Sequence, residues 1–315
     1  MRRTIEALHS LDLLVVATDH MTPTAELADF VLPKTTLLEE EGVFNDAGGP
    51  CLSVIRRALP PRGEARTDIE IAIALHERCR ARGLVEFDAL PWRSARAFID
   101  YQLADTGLSF DAIVERGFHA YPFDYGAHES SGFATPSKRI ELMPRLLADA
   151  GYDALPDYRP PAYSRHDDGF DLTLLTGLRS MAYHHSRFRN HPWARRAQNT
   201  PELRIHPQTA ARRDIATDDW VVVETRNNAD GIYLQAFLTE EMPLDVVGTG
   251  MGWWFPELAG FDRGALHFNV EAALPYGPPW DPITGSAEAR NTACRIQRAD
   301  PTTVAALRGR SVTKE

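Results

Sequence analysis

The chain has 315 residues, a net charge of −10 and a hydrophobic content of 43%. This length favours two domains, and the composition is that of a globular protein with enough apolar material for a sizeable core. The acidic balance argues against nucleic-acid binding, because contacts to backbone phosphates need clustered Lys and Arg. No apolar run is long enough to span a membrane, so no membrane segment is expected.

The first part of the chain predicts alternating helices and strands. A short helix over 3–9 precedes an apolar strand from Leu11 to Ala17, which should be buried on both faces. A helix from Ala25 to Asp29 and a strand from Phe30 to Leu32 follow. The polar turn 18–24 therefore lies at the end of a strand, where parallel sheets bind ligands. Two parallel strands leave sheet faces and edges uncovered, so either another polypeptide pairs with the chain or the chain is the tail of a longer one.

The middle of the chain is less regular. A capping box at Thr67 opens a helix from Asp68 to Arg82, with an apolar stripe that includes Ile73 and Leu75. Further helices are predicted near 94–104 and 109–116. Residues 133–142 predict a loop and a strand. The proline-rich segment 154–169 is interpreted as an interdomain linker.

From Asp171 onward the pattern predicts short strands. Strands are expected over 172–175, 220–225, 232–238 and 246–248, with a hairpin loop over 227–231 and a short helix over 207–213. Several short strands with a brief helix favour a closed β-barrel over a sandwich.

The strand over 172–175 runs into a polar segment that could bind a ligand. Gly177 would let a backbone approach closely, and Arg179 with Arg187 suits a phosphate or a planar heterocycle. The alternative is a polar loop that binds nothing. A metal site formed by His184, His185 and His191 is disfavoured, because adjacent side chains on a strand point in opposite directions. Trp253 and Trp254 are predicted to be core or interface residues.

Several motifs follow one another in a characteristic order. They are Thr18-Asp19-His20-Met21-Thr22-Pro23-Thr24 with Ala28-Asp29-Phe30-Val31-Leu32-Pro33, Glu41-Gly42-Val43-Phe44-Asn45, Thr135-Pro136-Ser137-Lys138, Leu174-Leu175-Thr176-Gly177-Leu178-Arg179, His185-Ser186, Gly252-Trp253-Trp254-Phe255-Pro256-Glu257, Asn269 and Asp281-Pro282-Ile283-Thr284-Gly285-Ser286. Together they resemble the C-terminal part of the molybdopterin guanine dinucleotide oxidoreductases, the dimethyl sulfoxide reductase family, from about residue 11 to 298. The last motifs resemble most the branch that contains polysulfide and thiosulfate reductases and acetylene hydratase.

This resemblance implies a fold and a cofactor. Residues 1–153 would hold an α/β fragment of a parallel-sheet domain with an irregular extension, and residues 171–300 a β-rich double-psi-barrel domain that binds the dinucleotide. The cofactor would be bis-molybdopterin guanine dinucleotide with molybdenum or tungsten. The implied cofactor-binding residues are Asp19 at guanine or ribose, Thr22 and Thr24 at phosphate, Thr176 and Gly177 through backbone amides, Arg179 at phosphate or a ring, and His185, Ser186 and Asn269 at the pterin. For Thr24, helix capping is the alternative.

The sequence also departs from the family. Asn45-Asp46-Ala47-Gly48-Gly49-Pro50 stands where the family often has Asn-x-Glu-Gly-Arg, and Lys138 follows Ser137 without the usual Gly. The barrel's usual Gly-Asp turn is Asp218-Asp219, and Asp214 replaces the Gly before Ile215. The family's iron–sulfur cysteines and its metal-ligating residue are missing from this sequence, and its three cysteines, at 51, 79 and 294, have no C-x-x-C spacing. No catalytic or metal residue is therefore assigned, and the chain alone should not turn over substrate.

These observations leave three hypotheses. The first is the C-terminal, cofactor-binding portion of a molybdenum or tungsten oxidoreductase. Its partners would be an N-terminal portion or catalytic partner chain, which carries any iron–sulfur cluster, and an iron–sulfur electron-transfer subunit. The second is a non-catalytic truncated remnant or a separate cofactor-binding subunit. The third is a barrel that binds another nucleotide or a protein. No signal peptide is predicted, so the chain as given is expected in the cytoplasm; an export signal on an N-terminal portion would make it periplasmic.

Overall fold

A computed structural model describes residues 1–45, 49–86, 90–155, 157–167, 169–275 and 277–309. The chain forms two compact units. The barrel unit consists of Met1–Val16, Met21–Phe30 and the chain from Arg159 onward, and the second unit consists of Ala17–His20 and Val31–Tyr158. The altered motif after Asn45 falls mostly on residues 46–48, which lie outside the described residues.

The helices and strands are named here in chain order. The helices are α1 (Arg2–His9), α2 (Pro23–Leu27), α3 (Asp68–Ala81), α4 (Ala95–Leu103), α5 (Phe110–Arg116), α6 (Ala127–Ser131), α7 (Arg145–Asp149), α8 (Pro192–Ala197), α9 (Pro207–Ala211), α10 (Ala265–Phe268) and α11 (Pro301–Gly309). Short 3₁₀ helices span Leu37–Glu39, Ala104–Thr106 and Val270–Ala272. The strands are β1 (Val15–Thr18), β2 (Phe30–Pro33), β3 (Gly42–Asn45), β4 (Cys51–Ile55), β5 (Phe118–Ala120), β6 (Leu172–Thr176), β7 (Glu202–Ile205), β8 (Trp220–Thr225), β9 (Asn228–Leu238), β10 (Val246–Thr249) and β11 (Asn291–Arg298).

The predicted closed barrel is confirmed. Its strands follow the order β10-β6-β11-β8-β9-β7. β6 is parallel to β10 and β7 is parallel to β9, whereas the remaining neighbours are antiparallel. Because successive strand residues point to opposite faces, alternate side chains fill the barrel. This core includes Leu172, Leu174, Leu203, Ile205, Val221, Val223, Ile232, Leu234 and Val247.

Most barrel elements have the predicted bounds to within two residues. β8 matches its prediction, and α9 ends at Ala211, two residues early. The predicted hairpin loop 227–231 is wrong, because β9 already begins at Asn228, which pairs with Thr225. The polar residues that predicted a loop lie instead in a β-bulge, where the register shifts and Gly231 has a φ of +70°.

The first strands form a small parallel sheet. β1 and β2 pair with each other: the Leu14 carbonyl accepts from the N–H of Asp29, and the Thr18 carbonyl from that of Lys34. The predicted strand start at Leu11 is wrong, since β1 begins at Val15. The predicted burial on both faces is also wrong, because Val15 and Phe30 are 46% and 63% exposed. Sheet neighbours that would cover these side chains are absent from the described residues.

Helix predictions hold in the second unit, but burial predictions do not. α3 begins at the predicted capping box: Thr67 Oγ1 accepts from the N–H of Glu70 at 3.1 Å, and the Glu70 carboxylate accepts from the N–H of Thr67 at 2.9 Å. Of the predicted apolar stripe, Ile73 is buried while Leu75 is 61% exposed. The apolar face of α3 is therefore only partly covered.

The core of the second unit forms where α4 and α5 pack on an antiparallel sheet, β3-β4-β5. This core contains Leu52, Ile99, Leu103, Phe110 and Ile113. The predicted strand within 133–142 is wrong. The N–H of Phe133 donates to the Lys138 carbonyl, and Lys138 has a φ of +60°, so the segment folds back on itself.

The chain passes from the second unit to the barrel unit for the last time between Tyr158 and Arg159, within the segment interpreted as a linker. Pro156 of that segment lies outside the described residues. No described helix combines the length and the apolar character needed to cross a membrane.

Candidate functional site

At the end of β6, a side chain that is already hydrogen-bonded, Thr176, is followed by a glycine, Gly177, whose backbone has no side chain to shield it. Thr176 is 7% exposed, and its hydroxyl donates to the Ala289 carbonyl at 3.1 Å. Gly177 follows in the left-handed region with a φ of +82°. A Cβ at Gly177 would lie 3.4 Å from the Met251 side chain. The Thr176 hydroxyl is thus used in a bond to the segment that precedes β11, which leaves the predicted ligand contact at these two positions to the backbone.

Arg179 and His185 form a hydrogen-bonded pair at this end of the barrel. Arg179 Nη1 lies 2.9 Å from His185 Nε2. Because a guanidinium can only donate, Nε2 accepts and the proton of the neutral ring lies on Nδ1. His185 also has a φ of +55°, which is rare for a residue with a side chain. The pair therefore presents His185 Nδ1 as a donor from a fixed loop.

Arg189 is a site residue that the sequence reading missed. It is 3% exposed, and its guanidinium lies between the rings of Tyr183 and Trp253, at 3.9 and 4.0 Å from their centroids. Its Nη1 has no hydrogen-bond partner among the described residues. Burial lowers the pKa of Arg189 to about 10, which leaves it charged near neutral pH. In the sequence it is one Arg among several in an irregular loop, and no periodicity marks it.

Arg189 joins two loops through their backbones. Its Nη2 donates to the carbonyls of His185 at 2.9 Å and Met251 at 3.2 Å, and its Nε donates to the carbonyl of Gly252 at 3.2 Å. The loops touch directly at Gly252, where a Cβ would lie 2.6 Å from the backbone nitrogen of Ser186. We call Arg189 with these three carbonyls the Arg189 clamp.

A cavity of about 580 Å³ lies beside the clamp, within the barrel unit. Four of the predicted cofactor residues line it, namely Thr22, Thr24, Ser186 and Asn269. Its lining is mainly apolar and also contains Asp262 and Glu271, but no Lys or Arg among the described residues. Since no cation is available to neutralise a phosphate there, this cavity suits a neutral or apolar group.

Two smaller cavities adjoin each other around Arg179. Their volumes are about 30 and 290 Å³, and the smaller one is lined by Gly177, Arg179, His185 and Arg189. Trp253 lines both this cavity and the 580 Å³ cavity. The structure thus divides seven predicted residues between an apolar cavity and a cationic one that share a wall.

Two of the predicted ligand contacts also have structural roles. Thr22 is the N-cap of α2 and accepts from the N–H of Ala25 at 3.2 Å. The alternative interpretation that Thr24 caps this helix is wrong, because Pro23 starts the helix and makes the preceding residue the cap. Asn269 is 7% exposed, and its Oδ1 accepts from the N–H of Gly252 at 3.1 Å.

Asp19 belongs to the second unit, where its carboxylate lies 3.1 Å from His20 Nδ1. Trp253 and Trp254 are 3% and 4% exposed, which confirms that they are core residues, although both also line the 580 Å³ cavity. Among the described residues, no group of three or more His, Cys, Asp or Glu side chains is placed to hold a metal ion.

The donor groups of the barrel unit fit a pterin dinucleotide. Arg179 supplies a cation next to the open backbone of Gly177, as phosphate binding requires. His185 Nδ1 and the Ser186 hydroxyl supply neutral hydrogen-bonding groups for a heterocycle, and Arg189 adds a buried charge behind them. A ligand with both anionic and heterocyclic parts matches this combination.

Comparisons with known proteins also indicate a molybdopterin-binding protein. The family model described as molydopterin dinucleotide binding domain matches residues 172–293, and the one described as molybdopterin oxidoreductase matches residues 2–78. These domains imply a molybdopterin cofactor. The solved structure of acetylene hydratase from Pelobacter acetylenicus aligns with a TM-score of 0.83 and 27% identity, over 95% of this chain and 42% of that chain.

Curated relatives are similar over most of this chain. Acetylene hydratase of Syntrophotalea acetylenica is 29% identical over 277 residues, which cover 84% of this chain and 37% of the relative. Dimethyl sulfoxide reductase DmsA of Escherichia coli is 25% identical over 286 residues, which cover 80% of this chain and 34% of the relative. The chain spans about a third of the length of the curated relatives it matches. The chain therefore combines a molybdopterin oxidoreductase domain with a molydopterin dinucleotide binding domain, and over at least 80% of its length it is similar to proteins of the dimethyl sulfoxide reductase family.

Proposed function

We propose that this chain is the C-terminal, cofactor-binding portion of a molybdenum or tungsten oxidoreductase and that it binds molybdopterin guanine dinucleotide. The observation that carries this proposal is the division of predicted cofactor residues around two cavities that share a wall. Gly177, Arg179 and His185 line the cationic cavity. Thr22, Thr24, Ser186 and Asn269 line the apolar one. When bound, the cofactor supplies two-electron or oxygen-atom transfer at its metal.

The chain's own residues would bind, orient and shield this cofactor. Arg179 would donate to a phosphate group or to a ring of the cofactor, and the left-handed backbone at Gly177 would let that group approach. His185 would donate from Nδ1, because Arg179 already occupies Nε2. Trp253 and Trp254 would exclude water from the cofactor's surroundings, since both are buried and line the larger cavity.

We further propose that an N-terminal portion or catalytic partner chain completes the protein, carries any iron–sulfur cluster and supplies the metal ligand. The exposed apolar side chains Val15 and Phe30 support this proposal, because a parallel sheet normally has both faces covered. An iron–sulfur subunit would then exchange electrons with the completed protein.

The test is purification of the chain from its native host under anoxic conditions, with an affinity tag placed at its own locus. We expect a longer polypeptide or a second chain to co-purify, with fluorescent pterin, GMP released by acid and molybdenum or tungsten in the same fractions. Recovery of the lone chain without pterin or GMP would instead support a truncated remnant. Recovery of the lone chain with its complete pterin dinucleotide and metal already bound would contradict the need for a partner.

A further inference from the structure

The two cavities around Arg179 contain an acidic residue that has no role in the proposed function. Both cavities are lined by Arg179, Ser180, Gln198, Glu202, Thr249 and Gly250. We call this shared space the Glu202 cleft. Glu202 is the first residue of β7, and the strand's alternation sends Leu203 and Ile205 into the barrel core. The side chain of Glu202 therefore lies outside the barrel and in the cleft.

Most polar groups of the cleft are already paired with one another. Gln198 Oε1 accepts from the Ser180 hydroxyl at 2.8 Å, and Gln198 Nε2 donates to the Thr200 carbonyl at 3.2 Å. The Thr249 hydroxyl donates to the backbone carbonyl of Glu202 at 2.7 Å. These groups form the wall of the cleft, and their hydrogen bonds are made within the protein rather than left for a ligand.

Two charged groups of the cleft stay available. The Glu202 carboxylate has no ion pair or side-chain hydrogen bond within the described part of the chain. Arg204, two residues further along the strand, also lines the larger cavity and lies 4.0 Å from the exposed Glu241. Arg179 uses one of its five N–H donors on His185. A ligand in the larger cavity therefore meets one strong acceptor, Glu202, and two cationic donors, Arg179 and Arg204.

The volume of the cleft limits what can bind there. The larger cavity measures about 290 Å³, which is at the small end of ligand pockets. It takes one heterocycle rather than a whole dinucleotide. Met181, which is fully exposed, lines the same cavity, and a thioether packs well on an aromatic ring. The site has the size and the surface for a flat ring.

We propose that the Glu202 cleft binds the 2-amino-4-oxopyrimidine edge that guanine and pterin share. The Glu202 carboxylate accepts from the ring N–H and the exocyclic amino group, and Arg179 donates to the ring carbonyl. This inference rests on the proposed function, which supplies a ligand that contains both rings. It makes Glu202 a specificity residue that favours guanine over cytosine or adenine nucleotides.

Glu202 is suited to this role by its environment. Burial raises the pKa of Glu202 above its usual range, and the nearby Arg204 opposes this shift. Because burial disfavours the charged form, the carboxylate gains more from two N–H donors than an exposed carboxylate would. The same penalty means that neutralising Glu202 should not lower the stability of the fold.

The test compares nucleotides that differ only in the base edge, by calorimetric titration of the full chain. GMP and IMP have the same phosphate and ribose, but IMP lacks the exocyclic amino group. We expect GMP to bind about tenfold more tightly than IMP, AMP or CMP, because a bidentate contact to a base edge discriminates by at least this factor. Equal binding of GMP and IMP would overturn the proposal, and so would no binding of any nucleotide or pterin.

Variants assign this preference to Glu202. Glu202→Gln should reduce the ratio of GMP to IMP affinity to about one, because an amide cannot accept both donors. Glu240→Gln, which removes an exposed carboxylate of the same unit, should leave the ratio unchanged. Glu202→Gln should not lower the melting temperature, whereas a merely structural Glu202 would do so. If this variant fails to fold, the ratio of GMP to IMP affinity of the wild-type chain still tests the proposal.

Two further measurements complete the test. 6-Hydroxymethylpterin, which has no phosphate, should compete with GMP in a Glu202-dependent way, and the tighter of the two ligands identifies the ring that occupies the cleft. The preference for GMP should disappear on acidification, at a higher pH than for an ordinary Glu, because burial raises the pKa of Glu202. If the wild-type chain binds GMP and IMP equally while the native complex contains pterin and GMP, this inference is refuted but the proposed function is not.

Discussion

Replacing Arg189 by Met should destabilise the barrel unit strongly. The substitution keeps a long side chain between Tyr183 and Trp253 but removes the charge and every donor. It releases the carbonyls of His185, Met251 and Gly252, which the guanidinium binds at 2.9 to 3.2 Å. The two loops that carry the predicted pterin contacts would then lose their common anchor.

The magnitude follows from the contacts. Three hydrogen bonds from a charged donor stabilise by about 1.5 kcal/mol each, and two desolvated cation–π contacts by about 1 to 2 kcal/mol each. Against this, the lowering of the Arg189 pKa to about 10 means that burying the charge costs about 3 kcal/mol. The net loss is about 4 kcal/mol, which corresponds to a fall in melting temperature of about 10 °C for a unit of this size.

The assay is thermal unfolding followed by circular dichroism, with Arg187→Met as the control. Arg187 is exposed, so its substitution should change the melting temperature by less than about 2 °C. Arg189→Lys should be at least as destabilising as Arg189→Met, because Lys keeps the buried charge but cannot reach three carbonyls. A fall of less than about 2 °C for Arg189→Met, or a Lys variant close to wild type, would refute the clamp.

Three other variants or probes test separate parts of the structure. Gly252→Ala should destabilise the chain by more than about 2 kcal/mol, since a Cβ would lie 2.6 Å from the Ser186 nitrogen. The control Gly285→Ala, where a Cβ meets open space, should cost about 1 kcal/mol. Equal losses of unfolding free energy in urea titrations would show that the loops are not in contact. The Cys294 thiol is 0% exposed and its pKa is raised by burial. A thiol reagent should therefore modify only the partly exposed Cys51 and Cys79 before unfolding. Rapid reaction of all three cysteines would contradict the closed barrel. Thr67→Ala should lower stability by about 1 kcal/mol through loss of the helix cap, and an unchanged melting temperature would argue against the capping box.

The barrel was predictable because its signals are local. Short apolar runs in Leu172–Thr176 and Trp220–Thr225 predict strands, and the inward faces of these strands form one core. The bulge at Gly231 was not predictable, since the same glycine and polar residues are typical of a loop. The exposed β1 was not predictable either, because an apolar strand reads as buried whether or not its neighbours belong to the same chain.

The candidate site was predicted through resemblance rather than through periodicity. Motif order identified Arg179 and Ser186, and the structure places them on one loop with the Arg189 clamp behind it. The clamp was missed because two of its three partners are backbone carbonyls 62 and 63 residues away in sequence. Glu202 was missed because an acidic residue at a strand start is usually solvated, and only the cleft around it distinguishes it.

A structure of the complex purified from the native host, with its cofactor bound, bears most directly on the claim that this chain binds a molybdopterin dinucleotide. We expect density for the dinucleotide within hydrogen-bonding distance of Arg179, Ser186 and Thr22. A dinucleotide held elsewhere, with these three side chains turned to solvent, would contradict that claim.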